Sequence, residues 1–298
     1  MAERANSSSV FYVYLDNVVY EIPLQDTCYM VSHNVFSLRS SDIVKEKQGE
    51  LKRMNEMIEL LLNHRSIRKF EDKPLSKEQI EQIVRAAQAA STSSFVQAYS
   101  IIGISDPEKK RELAALAGNQ AYVEHNGYFY VFCTDLNRHQ IAADMAGKDL
   151  GESLDFMEKF MVAVIDAALA AQNAAIAAES MGLGICYIGG IRNEIEKVSD
   201  LLKLPDRVIP LFGMAVGYPA HESALKPRLP LEAVFHENEY ENKEEQLKEY
   251  DETISAYYNM RTDGKRNDRW SEQVSGMLTG KQREHMKDFV NSKGYAKK

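Results

Sequence analysis

The stretch His64-Arg65-Ser66-Ile67-Arg68-Lys69-Phe70 is strongly basic, in a chain of 298 residues with a formal net charge of −8. A second basic turn, Lys226-Pro227-Arg228, lies far downstream. Guanidinium groups hold phosphate through parallel hydrogen bonds, so these two segments predict an anion site. Taken alone, the first segment fits a solvated patch at a helix C-terminus better, because cations are favoured there. We call the two segments the basic run (residues 64–70) and the basic turn (residues 226–228).

The composition bounds the class of protein. With 44% hydrophobic and 27% charged residues, the chain is typical of soluble globular proteins and long enough to bury a sizeable core. A sequence pI of about 5.5 argues against nucleic-acid binding. Three cysteines, Cys28, Cys133 and Cys186, lack metal-ligand or disulfide spacing, which favours the reducing cytoplasm. No run of about 18 uncharged apolar residues occurs, so we expect no membrane span.

Residues 1–53 differ from the remainder of the chain. Residues 11–24 are rich in Val, Tyr and Phe and are predicted to form strands, whereas serine clusters and a polar stretch follow. Lys47-Gln48-Gly49-Glu50 can be encoded by codons spelling AAGGAGA, which resembles a bacterial ribosome-binding site just before the Met54 codon. We therefore expect residues 1–53 to be normally untranslated upstream sequence or a cloning remnant. The alternative is a genuine extension with a modest role.

Residues 54–298 mix helical and strand patterns without a regular βαβ repeat, which predicts an α+β fold. Ser76 and Gln79 form a capping box at the start of one helix. The alanine-rich segment 161–181 predicts a long helix that packs either in the core or at an interface. Two helices are expected after residue 236. The other predicted helices cover 55–63, 108–117 and 193–202, and the predicted strands cover 100–105, 128–133, 185–190 and 208–216.

Three further segments are candidates for ligand contacts: a run of hydroxyl residues, a glycine pair and a basic loop. The hydroxyl run Ser91-Thr92-Ser93-Ser94 ends a helix, and alone it predicts no more than that. Gly189-Gly190 follows an apolar strand, where glycine lets the backbone approach a flat ligand, although alone it is only a turn. Residues 261–269 form a basic loop around Gly264, either a solvated connection or a second phosphate site. The chain has no GxxxxGK[ST], HExxH or paired CxxC motif.

Taken in order, these segments resemble the nitroreductase family, in the group of oxygen-insensitive NAD(P)H nitroreductases and flavin reductases. The resemblance extends from Met54 to the C-terminus and leaves residues 1–53 without a counterpart. It implies a nitroreductase-like α+β fold, with a mainly antiparallel central sheet flanked by helices, in an intertwined homodimer. The segments that carry it are His64-Arg65-Ser66-Ile67-Arg68, Ser91-Thr92-Ser93-Ser94-Phe95-Val96-Gln97, Gly118-Asn119-Gln120-Ala121-Tyr122, Ala170-Ala171-Gln172-Asn173, Tyr187-Ile188-Gly189-Gly190, Leu225-Lys226-Pro227-Arg228-Leu229-Pro230, and Tyr257-Tyr258 with Arg261.

The resemblance implies bound FMN, with no metal and no catalytic side chain, because the flavin carries the chemistry. Its phosphate is expected at the basic run, with Arg65 and Arg68 as donors, helped by Lys226 and Arg228. Nicotinamide cofactor and substrate are expected at Phe95, Arg261, Lys265 and Arg266. The implied FMN contacts are His64, Arg65, Ser66, Ile67, Arg68, Thr92, Ser93, Ser94, Gln120, Tyr122, Tyr187, Ile188, Gly189, Gly190, Lys226, Pro227 and Arg228.

The implied activity is a two-electron ping-pong oxidoreductase. NADPH or NADH would reduce FMN by hydride transfer, and a nitroaromatic compound, a quinone or free flavin would then be reduced. The basic loop favours NADPH without excluding NADH. One alternative is a reductase that supplies free reduced FMN to another enzyme. The other is a non-catalytic flavin-binding protein, against which the basic loop 261–269 argues, because storage needs no second nucleotide site. We expect small-molecule partners and a cytoplasmic location, with neither nucleic acid nor membrane as a partner.

Overall fold

The computed structural model describes residues 10–15, 18–23, 55–221, 223–280 and 282–298. The chain divides into two compact units, Met1–Asn55 and Glu56–Lys298. In the first unit, strands β1 (Val10–Leu15) and β2 (Val18–Pro23) pair antiparallel, as predicted for this segment. The serine clusters and the polar stretch noted in the sequence, residues 24–53, lie outside the described residues.

A four-stranded antiparallel sheet forms the centre of the second unit. Its strands are β3 (Tyr99–Ile104), β4 (Tyr128–Asp135), β5 (Gly184–Ile188) and β6 (Val208–Gly217). They lie in the order β3-β4-β6-β5, and each neighbouring pair is antiparallel. The predicted α+β fold with an antiparallel sheet is therefore confirmed.

Helices cover the sheet and form the C-terminal region. The predicted capping box is present, since the Gln79 amide donates to Ser76 Oγ at 3.2 Å and the Ser76 amide donates to Gln79 Oε1 at 3.0 Å. The helices are α1 (residues 55–62), α2 (Lys77–Gln88), α3 (Pro107–Leu116), α4 (Ala121–Glu124), α5 (Asn137–Met145), α6 (Met157–Ser180), α7 (Ile195–Leu201), α8 (Glu244–Arg261), α9 (Trp270–Thr279) and α10 (Met286–Ser292).

The described C-terminal region contains three helices, so the prediction of two after residue 236 was wrong. The additional helix, α10, is only seven residues long, and such a short segment carries little periodicity and is not stable alone. Tertiary packing forms it: Phe289 and Val290 are buried in the main core. The hydroxyl of Tyr295, just beyond α10, donates to the Arg207 carbonyl at 2.5 Å.

Helix α6 buries an alanine face against α2 and β4. Small side chains let a helix backbone approach its neighbours closely. The core alternative is therefore correct for this face, and the interface alternative is wrong for it. A row of larger apolar residues lies on another side of the helix, each about half exposed: Met157, Met161, Ile165 and Leu169. The buried alanines are Ala163, Ala167, Ala170, Ala171, Ala174, Ala175 and Ala178.

Among the described residues, α6 is also long and apolar enough to cross a membrane by length and composition. It is nevertheless interrupted by Glu158, Lys159, Asp166 and Glu179, so it contains no run of 18 uncharged apolar residues. The core helix of a soluble protein meets the same test, and α6 places its alanine face and the Asp166 carboxylate inside this chain. Its packing is that of a core helix.

Candidate functional site

The basic run lies along β5 and beside the C-terminal end of α6. Ser66 forms a parallel bridge with Ile185 of β5, and the Ile67 amide donates to the Ile185 carbonyl at 2.8 Å. His64 Nδ1 lies 2.6 Å from Glu179 Oε1 on α6. These contacts fix both the height of the run along the strand and its distance from the helix.

Arg65 brings the two basic segments close together. Its Nη1 donates to the Ser223 carbonyl at 2.9 Å. Lys226 follows three residues later, and an extended chain spans at most about 3.6 Å per residue, so its Cα lies within about 11 Å of that of Ser223. The basic run and the basic turn are therefore neighbours, although the sequence separates them by more than 150 residues.

Arg68 forms a cluster with Ser66, Tyr122 and Cys186. Burial raises the pKa of the Tyr122 hydroxyl and the nearby Cys186 acts in the same direction, whereas a hydrogen bond and the positive charge of Arg68 oppose them. Burial likewise raises the pKa of the Cys186 thiol, against the charge of Arg68 and a hydrogen bond with Ser66. Arg68 itself is exposed, so its guanidinium can also meet an anion from solvent.

Gln120, at the start of α4, lies against the glycine turn that follows β5. A Cβ at Gly190 would lie 2.9 Å from Gln120 Nε2 and 2.5 Å from the Ala117 carbonyl oxygen. Packing against the end of α3 therefore requires glycine at position 190, and the approach of a flat ligand to this turn stays a prediction. Gln120 Oε1 is buried without a hydrogen-bond partner among the described residues. Burying an acceptor without a partner costs free energy, and a hydrogen-bond donor on a ligand would satisfy it.

The predicted residues on β5 and beside it divide between exposed and buried positions, with Tyr187 36% exposed. The Tyr187 hydroxyl donates to the Ala171 carbonyl on α6 at 2.8 Å, and burial raises its pKa, with the charge of Glu179 acting in the same direction. The Ile188 side chain is 1% exposed in the core, as is that of Ile67 at 5%. Neither isoleucine side chain can meet a ligand, so any contact by these two residues is through the backbone.

The hydroxyl loop, residues 92–97, has an unusual backbone. Ser94, Phe95 and Gln97 adopt left-handed conformations, with φ values of 48°, 58° and 52°. Such conformations are unfavourable for non-glycine residues and are characteristic of functional sites. Phe95 is 81% exposed, whereas Thr92 Oγ1 is buried without a partner among the described residues.

The basic turn is attached to α8 through two tyrosines. The Tyr250 hydroxyl donates to the Pro227 carbonyl at 2.9 Å, and Lys226 Nζ lies 5.3 Å from the centroid of the Tyr258 ring. A hydrogen bond from Lys226 lowers the pKa of the Tyr258 hydroxyl. Burial raises the pKa of Tyr250, and the charges of Lys226 and Arg228 oppose this, so both cations of the turn lie near α8.

The basic loop meets the same tyrosine cluster. Arg266 Cζ lies 4.3 Å from the Tyr258 ring centroid, and its Nε donates to Asp268 Oδ2 at 2.8 Å. Arg261 Nη1 lies 2.8 Å from the Tyr257 hydroxyl oxygen, to which it donates. Arg261, Lys265 and Arg266 are all exposed. Tyr258 thus joins the basic turn to the basic loop, which the sequence analysis assigned to two different ligands.

Sequence reasoning missed Arg192. Its Nη2 lies 3.0 Å from the position of a Cβ on Gly189, and its Nη1 donates to the Leu211 carbonyl. Burial lowers the pKa of Arg192, and the neighbouring charge of Arg283 acts in the same direction. The signal was available, since Arg192 comes three residues after Gly189, but an arginine following a glycine turn carries no motif of its own.

The structure is thus an α+β fold with an antiparallel sheet, in which Arg65 and Arg68 belong to a basic segment held along β5. The Nitroreductase family model matches residues 61–218, and the model of the Nitroreductase family, C-terminal domain, matches residues 226–298. The chain belongs to the nitroreductase family. This confirms the resemblance drawn from the sequence.

Individual relatives agree with this assignment. The chain is 59% identical over 248 residues to the FMN reductase (NADPH) of Bacillus subtilis (strain 168), which covers 82% of this chain and 100% of the relative. The structure of B. megaterium NfrA1 is 61% identical with a TM-score of 0.80, covering 81% and 100% of the two chains. The NADPH:FMN oxidoreductase from Vibrio harveyi complexed with NAD+ is 44% identical with a TM-score of 0.73, covering 81% and 99%.

Proposed function

We propose that this chain is an FMN-dependent NAD(P)H oxidoreductase that reduces nitroaromatic compounds, quinones or free flavin, with residues 54–298 as its catalytic domain. The observation that carries the proposal is that the basic run lies along β5, with Arg65 bonded to the segment just before the basic turn and Arg68 next to Tyr122 of α4. The relatives' names, FMN reductase (NADPH) and NADPH:FMN oxidoreductase, support the same activity.

The residues present fit FMN. Arg65 and Arg68 supply the planar donors that suit a phosphate dianion. Two buried acceptors without partners among the described residues, Thr92 Oγ1 and Gln120 Oε1, suit the hydroxyl and imide donors of a ribityl chain and a flavin ring. When bound, FMN accepts a hydride from a nicotinamide cofactor and passes two electrons to the acceptor that replaces it.

Each group of side chains then has a binding role. The basic run with Lys226 and Arg228 holds the phosphate, and the hydroxyl loop contacts the ribityl chain. Gln120, Tyr122 and the backbone of residues 187–190 orient the ring. Phe95 covers the position of the acceptor. Arg261, Lys265 and Arg266 are exposed cations of one loop, which suits the additional phosphate of NADPH.

The α6 surface supports a homodimer. Met157, Met161, Ile165 and Leu169 form a half-exposed apolar row, and apolar surface of this kind marks protein interfaces. Helix α1 adds exposed apolar side chains at Met57, Ile58, Leu61 and Leu62. A cytoplasmic location is supported by two free, buried thiols, Cys133 and Cys186.

The activity is tested on the purified protein. We expect a yellow sample with a flavin absorbance spectrum, which NADPH bleaches under anaerobic conditions and a nitroaromatic compound restores. Comparing the turnover of free FMN with that of the nitroaromatic compound separates a flavin-supplying reductase from a nitroreductase. A colourless protein, or a flavin that NADPH leaves oxidised, contradicts the proposed function.

Arg68→Ala should weaken FMN binding about tenfold, because a hydrogen bond to a charged partner contributes about 1.5 kcal/mol or more. The measurement is the flavin-to-protein absorbance ratio after gel filtration, followed by titration with FMN. Arg111→Ala, an exposed arginine paired with Glu108 on α3, is the matched control. An Arg68→Ala protein that retains the wild-type flavin content would remove Arg68 from the phosphate site.

Arg261→Ala should raise the KM for NADPH about tenfold, since a charged hydrogen bond is lost, while the KM for the acceptor changes much less. Steady-state kinetics with both substrates measure this. Arg269→Ala is the control in the same loop, because Arg269 pairs with Glu252 at 2.6 Å. Equal effects of Arg261→Ala on the two KM values would exclude a role specific to the nicotinamide cofactor.

Ile165→Lys should shift the protein from dimer to monomer, because a charge replaces a half-exposed apolar side chain in the middle of the α6 row. Sedimentation velocity measures the mass, and circular dichroism checks that the fold is retained. Gln82→Lys adds the same charge at an exposed position on α2 and should leave the mass unchanged. A folded Ile165→Lys protein with the wild-type mass would show that the α6 row is not the interface.

A further inference from the structure

Asp166 is a carboxylate with no exposed surface, set in the alanine face of α6. Its two oxygens accept hydrogen bonds from the backbone: Oδ1 from the Ser93 amide at 2.9 Å and Oδ2 from the Ala98 amide at 3.0 Å. A buried carboxylate is unfavourable unless it is hydrogen-bonded. Here both donors come from one short segment, so a single side chain holds the two ends of the hydroxyl loop.

The segment between these two amides is the strained one. Ser94, Phe95 and Gln97 are all left-handed, and such conformations persist only where the surrounding structure over-determines them. Helix α5 supports the C-terminal side: Arg138 Nη1 donates to the Gln97 carbonyl at 3.2 Å, and His139 Nε2 lies 2.7 Å from the Val96 carbonyl. At the other end of the loop, the described contact is the hydrogen bond that the Ser93 amide donates to Asp166.

We propose that Asp166 is a positioning residue that, by clamping both ends of the hydroxyl loop, orients Phe95 over the acceptor position. The inference rests on the proposed function for the role of Phe95, but the clamp itself does not. Phe95 stands 81% exposed at the tip of the clamped segment. Its direction is set by backbone conformation rather than by packing around the ring, so loosening one end of the loop changes where the ring points.

Asp166→Asn tests the clamp at nearly constant shape. The amide has one acceptor oxygen in place of two, and its NH2 group would face a backbone N–H donor, so one end of the loop is released. We expect faster amide hydrogen exchange in the peptide that covers residues 92–98, measured by mass spectrometry. This readout needs no enzyme activity. Unchanged exchange there would overturn the clamp.

The kinetic test separates positioning from general destabilisation. Asp166→Asn should raise the KM for the acceptor about tenfold, because binding falls steeply when a contact group is misplaced. Placed on Phe95→Ala, the same substitution should add no further increase in that KM. Equal increases in the two backgrounds, or no increase in either, would overturn the positioning role. If the wild-type protein fails to oxidise NADPH, the proposed function fails while the exchange result still decides the clamp.

Asp155→Asn serves as a control for general destabilisation, and His139→Ala as a second test of the loop. Asp155→Asn removes a carboxylate just before α6 that pairs with Arg207 at 2.8 Å, away from the hydroxyl loop, so it should lower the Tm without changing the acceptor KM. His139→Ala loosens the Val96 side of the loop from its surface. Should Asp166→Asn not fold, His139→Ala should still raise the acceptor KM several-fold. An unchanged KM in that variant would overturn the proposal.

Discussion

The close packing of the α6 alanine face against the sheet and α2 is the constraint on which the candidate site depends. Three groups along this helix hold three site segments: Asp166 the hydroxyl loop, the Ala171 carbonyl the Tyr187 hydroxyl, and Glu179 the His64 ring. A helix rises 1.5 Å per residue, so the first and last of these groups are separated by about 20 Å. One rigid element therefore sets the spacing of segments that lie far apart in the sequence.

Charge in the site is distributed over two groups rather than one. The basic run is fixed to β5 and α4, whereas the basic turn and the basic loop meet at Tyr258 of α8. Two cations near one ring repel each other, and the pKa of the Tyr258 hydroxyl is lowered first by a hydrogen bond from Lys226 and further by the charges of Lys226 and Arg266. An anion is the natural ligand of such a surface. The contact of Arg65 with Ser223 places this second positive region next to the first.

The sequence predicted most of the fold because its elements carry local signals. Ser76 with Gln79, Asp106 before Pro107, and the positive φ of Gly182 after α6 mark helix ends that need no tertiary information. Helix α10 carries no comparable signal and forms through its burial in the core. The larger element boundaries were correct to within a few residues for the same reason.

The site was predictable only in part. The basic and hydroxyl residues could be predicted from their residue types. Glycine at position 190, however, is required by the Ala117 carbonyl, and no sequence pattern reveals that contact. Asp166 was also not predicted as a site residue, because in an alanine-rich segment a single carboxylate indicates only an interruption of an apolar helix. Its meaning depends on two amides about 70 residues upstream, and such a long-range contact leaves no periodicity behind.

Helix α6 also links the site to the surface of the molecule. Its alanine face orders the hydroxyl loop through Asp166, while Ile165, one residue earlier, belongs to the exposed apolar row. The conformation of Phe95 costs free energy in a single chain for two reasons: its backbone is left-handed and its apolar ring is exposed to solvent. A strained, exposed aromatic residue persists where a binding partner offsets its free energy. In the proposed dimer, assembly through Ile165 and the positioning of Phe95 through Asp166 would therefore involve adjacent residues of one helix.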